Sequence, residues 1–247
     1  MRSITSSANP QFKVWRSLLS SKGIKSEGLF LLSGEKLIRE FLKDPRHEIV
    51  AELVAPQGSA LQAGAPVFEL SRELFQELDT IGTHFNLFVL KAPTLPESSP
   101  EEAPTALEVI APIGDPGNLG ALIRSAVAFG ATKIHLTRES AHPFHPKCVK
   151  ASAGAVLRAP LFQAGPLTDW DHPSVWALTL EGPSILKASR AGALRVLVGE
   201  EGPGLPELRQ TKALSIPTQG VESLNATVAA SLALWYLSTD FSKTSVK

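Results

Sequence analysis

The 247-residue chain is 43% hydrophobic, enough for one large domain or two small ones, and its 24 Lys or Arg balance 24 Asp or Glu. No apolar run approaches the roughly 20 residues that span a bilayer, and the opening MRSITSSANPQFKVW lacks the apolar stretch of a secretory signal, so a cytoplasmic protein without a membrane partner is expected. A single cysteine, Cys148, excludes an internal disulfide and a cysteine-rich zinc site.

In chain order, NPQFKVWRSLLSS reads as a helix, GLFLLSG as a strand, EKLIREFLKD as a helix, and EIVAELVA and PVFEL as strands, so residues 1–91 are expected to form a small α/β domain. Its start is basic. Residues 1–50 hold nine Lys or Arg against five acids, whereas residues 51–104 hold two against eight. Residues 92–105, APTLPESSPEEAPT, combine four prolines with serines and acids and read as an interdomain linker. Beyond it, in residues 106–247, LEVIAPI, KIHLT, VWALTL, RVLVG and ALSIP are short aliphatic runs without polar alternation, the pattern of buried parallel strands, and helical stretches separate several of them. In the last helix the apolar residues Leu224, Val228, Leu232, Trp235 and Tyr236 return at helical spacing, with Ser223 or Asn225 as the cap.

Three strand-to-loop-to-helix junctions carry candidate chemistry. The first, Gly114-Asp115-Pro116-Gly117-Asn118-Leu119-Gly120, lies at the carboxyl end of a strand, where open α/β sheets hold ligands, and Asn118 is placed to cap the next helix. On that helix Leu119, Leu122, Ile123, Ala126 and Val127 share a face. Arg124 projects roughly 130° from its centre, off the core stripe, where it is free to face a ligand or another subunit or to stand as an ordinary surface arginine. The glycine order does not match the dinucleotide fingerprint, and no Gly-Lys-Ser/Thr follows for a phosphate loop. The second junction is Gly199-Glu200-Glu201-Gly202-Pro203-Gly204-Leu205, and the third is Ile216-Pro217 followed by Glu222-Ser223-Leu224-Asn225. Such loops let backbone approach a ligand and read an adenine edge, although each alone is equally ordinary turn chemistry.

Together and in this order, the segments resemble the motifs of the SpoU (TrmH) family of RNA 2′-O-ribose methyltransferases, in the SPOUT superfamily. The resemblance is carried by DPGNLGALIRSAVAFGA (residues 115–131), KCVKASAGA (147–155), GEEGPGL and IPTQGVESLN, and covers residues 105–238. Upstream, ITSSANPQFKVWRSLLSSKGIKSEGLFLLSGEKLIREF resembles the small RNA-recognition domain that many members carry, with Ser33 where a glutamate is usual.

The resemblance implies a C-terminal SPOUT α/β domain with a parallel sheet and a deep trefoil knot, an exception to the rule that chains avoid threading themselves. It implies a homodimer through that domain, rRNA or tRNA as substrate, S-adenosylmethionine as cofactor, and no metal. Leu180, Gly199, Ile216 and Leu224 would hold the cofactor. Asn118 and Arg124 match the catalytic pair, and Glu201, Ser223 and Asn225 match residues that shape the site. An arginine is too weak an acid to serve simply as a base, so Arg124 is expected to orient the ribose or phosphate and stabilise a developing alkoxide. Lys13, Arg16, Lys22 and Lys25 are expected to touch RNA phosphates. Thr218 replaces a usual methionine, Ala226 and Thr227 a common Val-Ser, and Trp235-Tyr236 stand near a frequent glutamate.

Other readings are weaker. His142 and His145 have a metal-like spacing, but no Cys or acid clusters with them, and they are expected to be loop residues. Ser152 lacks the context of an esterase nucleophile. Lys147 and Lys150 suit phosphate contact or plain solvation. The alternative of another class is a non-catalytic knotted RNA-binding protein acting in ribosome assembly, against which the intact Asn118, Arg124 and Asn225 argue.

Overall fold

The computed structural model describes residues 1–61, 64–188, 193–199, 205–221 and 223–238. Its contacts divide the chain into two compact units. One comprises Met1–Thr94 with His142–Arg158, the other Leu95–Ala141 with Ala159–Lys247. The KCVKASAGA segment, read from sequence with the C-terminal half, thus groups with the N-terminal unit.

The first unit is built on a five-stranded mixed sheet in the order β1 (Arg2–Ile4), β4 (Val67–Leu70), β3 (Ile49–Val54), β5 (Leu87–Lys91), β2 (Leu29–Leu32). The first three run parallel, and β5 runs antiparallel to both its neighbours. Two short helices, α1 (Pro10–Ser17) and α2 (Ser21–Glu27), start on capping side chains: Asn9 Oδ1 accepts from the N–H of Gln11 at 2.8 Å, and Ser20 Oγ from that of Gly23 at 3.1 Å. Phe12 and Trp15 turn one face of α1 inward, where Trp15 meets Phe68 edge-on at 5.0 Å. The helices α3 (Glu35–Lys43) and α4 (Arg72–Leu78) likewise bury Ile38, Phe41, Leu74, Phe75 and Leu78. The His142–Arg158 segment, with its helix α6 (Pro146–Ala151), is held by Phe144 stacked on Phe30 at 4.6 Å and by His47 Nε2, 3.1 Å from the carbonyl of Leu157. Gly154 is favoured there. Its φ is +79°, and a Cβ would stand 2.2 Å from Leu37 Cδ1.

The second unit is built on a six-stranded, wholly parallel sheet in the order β11 (Lys212–Leu214), β9 (Val175–Leu178), β10 (Leu194–Val198), β6 (Leu107–Ile110), β7 (Lys133–Leu136), β8 (Leu161–Gln163). Its two long helices are α5 (Pro116–Ala128) and α7 (Ala226–Ser238). Every residue of β10 is buried, as expected of a central strand covered on both faces. One apolar cluster gathers Ile110, Trp170, Val175, Ala177 and Leu197, with Leu205 and Leu208 packed against it.

Charge is also buried here. Glu108 of β6, His135 of β7 and Arg195 of β10 have no exposed surface. Arg195 Nε and His135 Nε2 both lie 2.9 Å from Glu108 Oε2. The proline-rich segment completes the network: Arg195 donates to the carbonyls of Pro100 and Glu102, and Ser98 Oγ lies 2.9 Å from His135 Nδ1. Burial lowers the His135 pKa against the pull of Glu108, so the ring is neutral. A carboxylate can only accept, so Nε2–H donates to Glu108 and Nδ1 accepts from the Ser98 hydroxyl. Among the described residues, no helix is long and apolar enough to cross a membrane.

Candidate active site

Where β9, β10 and β11 leave the sheet, a cavity of about 570 Å³ opens, lined at those exits by Thr179 and Leu180, by Gly199 and by Ile216. This is the carboxyl edge of a parallel sheet, where open α/β folds hold ligands. The volume falls within the roughly 300–1,000 Å³ of small-molecule sites. None of the described residues lining it is charged; Leu178, Leu180, Leu205, Ile216 and Leu224 supply apolar walls, and Thr179, Thr211, Thr218 and Ser223 bring hydroxyls. Such a lining suits a ligand with a flat or apolar body, read at its polar edges by backbone groups and hydroxyls. A Cβ on Gly199 would stand 3.0 Å from Leu205 Cγ, so a side chain there would displace another wall of the cavity.

The four residues expected to hold a cofactor, Leu180, Gly199, Ile216 and Leu224, line this one cavity together with Ser223. Glu201 lies outside the described residues.

Asn118 and Asn225 sit at two joined helix starts. The cap of α5 is Asp115 rather than the expected Asn118: Asp115 Oδ1 accepts from the N–H of Asn118 at 2.8 Å. The cause is Pro116, which has no N–H and a φ already set for the first helical position, leaving the residue before it as the cap. Helix α7 begins at Ala226 with Asn225 as its cap, its Oδ1 accepting from the N–H of Thr227 at 3.0 Å and Val228 at 3.2 Å. Thr227, one of the departures from the family pattern, donates its hydroxyl to the carbonyl of Asn118 at 3.2 Å and so ties the two starts together. Farther along, the hydroxyls of Ser125 and Ser231 lie 2.7 Å apart.

Arg124 is exposed on α5 and is not among the residues lining the cavity. Along α7, Val228, Leu232 and Trp235 form an apolar stripe, each more than 40% exposed.

In the first unit, Lys13 and Arg16 on α1 and Lys22 and Lys25 on α2 are all exposed, and Arg16 lies 3.7 Å from Glu77 in a solvated pair. His142 is pushed down to about 4 by burial, with the charges of Lys25 and His145 adding to the effect. Its neutral Nδ1 accepts from the N–H of Phe144 at 3.2 Å, and His145 Nδ1 accepts from that of Lys147 at 3.2 Å, so both rings serve backbone turns. Lys147 and Lys150 are exposed on α6.

Sequence reasoning named Leu205 within the second junction but missed Pro206, Leu208 and Thr211 in the cavity wall, and Asp171, whose carboxylate accepts from Arg209, Gln210 and Thr211. The partners stand 38–40 residues from Asp171, a separation that leaves no mark in local spacing.

With this geometry in hand, comparison with known proteins is informative. Residues 107–235 match the SpoU rRNA Methylase family, and residues 9–81 match the MRM3-like substrate binding domain. The chain is 39% identical over 250 residues to a protein of Syntrophobacter fumaroxidans named ribosomal RNA small subunit methyltransferase G 2. That alignment covers 98% of this chain and 50% of the relative, so the chain spans half of that protein's length. It is 28% identical over 253 residues to the 23S rRNA (guanosine(2553)-2′-O)-methyltransferase RlmP of Bacillus subtilis, covering 96% and 99% of the two chains. The solved structure of an AdoMet-bound rRNA methyltransferase from Sinorhizobium meliloti matches with a TM-score of 0.77 at 27% identity, covering 96% of this chain and 97% of that one. The family match spans more than half of the sequence, and the chain belongs to the SpoU rRNA methylase family.

Proposed function

We propose that this chain is an S-adenosylmethionine-dependent methyltransferase acting on a ribose 2′-hydroxyl of rRNA or tRNA. In this reading it works in the cytoplasm as a homodimer joined through its C-terminal domain. Residues 1–91 bind RNA and 106–247 form the methyltransferase domain with a deep trefoil knot, while the 92–105 connection also contributes Ser98, Pro100 and Glu102 to the buried network of the second unit. The observation that carries the proposal is the cavity at the carboxyl ends of β9, β10 and β11, with no charged side chain among the described residues lining it, around which Leu180, Gly199, Ile216, Ser223 and Leu224 converge. Two relatives support it: a solved neighbour whose name includes bound AdoMet, and RlmP, named for 2′-O-methylation.

When bound, S-adenosylmethionine would supply a methyl group on a sulfonium sulfur: the O–CH3 bond to the ribose would form as the S–CH3 bond breaks, S-adenosylhomocysteine leaving neutral and the hydroxyl proton passing to water. The protein's part is alignment, the largest entropic share of such a barrier. Leu180, Ile216 and Leu224 enclose the apolar body of the cofactor, and backbone groups beside Gly199 and Ile216 read its polar edge. Asn118 and Asn225 fix the starts of α5 and α7 through Thr227. Arg124, a cation with a planar fork of donors, orients the ribose or phosphate and stabilises negative charge developing on the 2′-oxygen. Its position outside the wall of its own chain's cavity suits a site completed between two subunits, and the Val228, Leu232 and Trp235 stripe provides apolar surface for that contact. Glu201 supports the site as the family resemblance implies. Lys13, Arg16, Lys22 and Lys25 hold phosphates without reading sequence.

The variant Arg124→Ala tests the assignment. It is expected to lower turnover by about 100-fold or more, as removal of a charge-stabilising donor does, while cofactor affinity and sedimentation as a dimer are retained. Near-normal turnover would remove Arg124 from the mechanism.

A further inference from the structure

Part of the cavity wall is a turn between β10 and β11, from which Leu205, Pro206, Leu208 and Thr211 line the space. The backbone N–H groups of such a turn belong to neither helix nor sheet and need acceptors of their own. Three successive ones converge on one carboxylate. Asp171 Oδ2 accepts from Arg209 N at 2.9 Å, and Oδ1 accepts from Gln210 N at 2.8 Å, Thr211 N at 3.0 Å and Thr211 Oγ1 at 3.1 Å. Successive N–H groups around an anion form a concave nest, here filled by a side chain of the protein itself.

Asp171 is firmly based. It directly follows a 3-10 turn, Leu167–Trp170, whose Trp170 is fully buried in the cluster against which Leu205 and Leu208 pack. The turn is therefore pinned twice, by leucines entering the core and by a carboxylate gathering its N–H groups. Burial would raise the Asp171 carboxyl, but the hydrogen bonds from Arg209, Gln210 and Thr211 outweigh it and hold it below the usual aspartate range. The latch is thus ionised throughout the neutral range.

We propose that Asp171 is a positioning residue for cofactor binding: it does not line the cavity, and it fixes the Leu208 and Thr211 part of the wall in the shape that receives S-adenosylmethionine. This rests on the reading of the cavity as the S-adenosylmethionine site. It assigns part of the cofactor affinity to a residue 38–40 positions upstream of the N–H groups it gathers.

The test uses the full chain with S-adenosylmethionine as the titrant, in calorimetry and in methyl-transfer kinetics. Asp171→Ala is expected to raise the dissociation constant for S-adenosylmethionine by about tenfold or more, with kcat at saturating cofactor and KM for RNA within about threefold of wild type. Asp171→Asn keeps an Oδ1 acceptor for Gln210 and Thr211 and should lie between the two. A role confined to stability would instead lower the melting temperature and leave the cofactor affinity of the folded fraction unchanged, and that result overturns the proposal. Should Asp171→Ala not fold, Asp171→Asn with wild-type affinity overturns it equally. Absence of binding by the wild type overturns the reading of the cavity and this proposal with it, whereas binding by wild type and Asp171→Ala alike overturns this proposal alone.

Discussion

Within the six-stranded sheet, Glu108 and Arg195 near the amino ends of β6 and β10 and His135 farther along β7 are buried together, with Ser98 Oγ and the carbonyls of Pro100 and Glu102 hydrogen-bonded to them. At the carboxyl ends of β9, β10 and β11 the described residues that line the cavity are apolar, small or hydroxyl-bearing, and space is left between them. The contrast shows how one sheet divides its work. Ionic groups that leave water need hydrogen-bond partners, and Glu108 Oε2 supplies one to both Arg195 and His135, while Glu108 Oε1 is buried without a partner among the described residues. The cavity presents apolar surface, hydroxyls and backbone groups that a ligand can use. Changes in the two regions should therefore have separable effects, on stability in one and on binding in the other.

The sharpest way to break this division is Glu108→Ala, which leaves the Arg195 guanidinium buried without its carboxylate. Urea denaturation should show a loss of about 3–5 kcal/mol, while the protein that remains folded binds S-adenosylmethionine within about threefold of wild type. Loss of binding by folded Glu108→Ala would mean that the two regions are not independent. The converse change is Gly199→Val, whose side chain displaces Leu205 at the cavity wall. It should weaken S-adenosylmethionine binding by about 30-fold, close to 2 kcal/mol, with a smaller change in stability. Unfolding rather than loss of affinity would contradict it.

A smaller effect sharpens the contrast through pH. The folded-state pKa of His135 is lowered from the ordinary 6.5, so the unfolded chain binds that proton first. Stability is then fully present above about 6.5 and falls as pH drops from there toward the lowered folded-state value. Denaturation between pH 7 and 5.5 should reveal a loss of stability as pH falls, and His135→Gln, which does not titrate, should show a flatter slope. Equal slopes in the two proteins would remove His135 from the pH response.

The legibility of the chain follows the range of the interactions. The β6, β7, β9 and β10 strands were visible because burial leaves mostly aliphatic runs, whereas edge strand β11, with Lys212 and Ala213 exposed, was legible only through the ALSIP run that overlaps its end. The three-residue β8 and β1 were not, since Leu161–Gln163 and Arg2–Ile4 each carry exposed polar residues and are too short for a pattern. β5 did carry a signal, the buried run Leu87 to Leu90 between Asn86 and Lys91, although the reading did not place it. The cavity residues were legible through family motifs, whereas Asn118 as a cap was misjudged because the local preference for Asn lost to the Asp-Pro pair before it. Glu108, His135 and Arg195 look in sequence like blemishes within apolar strands; their pairing spans 27 and 87 residues and exists only in the folded sheet. Asp171 is hidden for the same reason.

The central claim is methyl transfer to a ribose, and its most direct test is incubation of the full chain with methyl-labelled S-adenosylmethionine and unmodified rRNA or tRNA, followed by alkaline hydrolysis. A 2′-O-methyl blocks cleavage at the adjacent phosphate, so the account predicts label in an alkali-resistant dinucleotide, and no such label with Arg124→Ala. Label confined to mononucleotides, the mark of base methylation, or no label in either RNA despite intact cofactor binding, would contradict it.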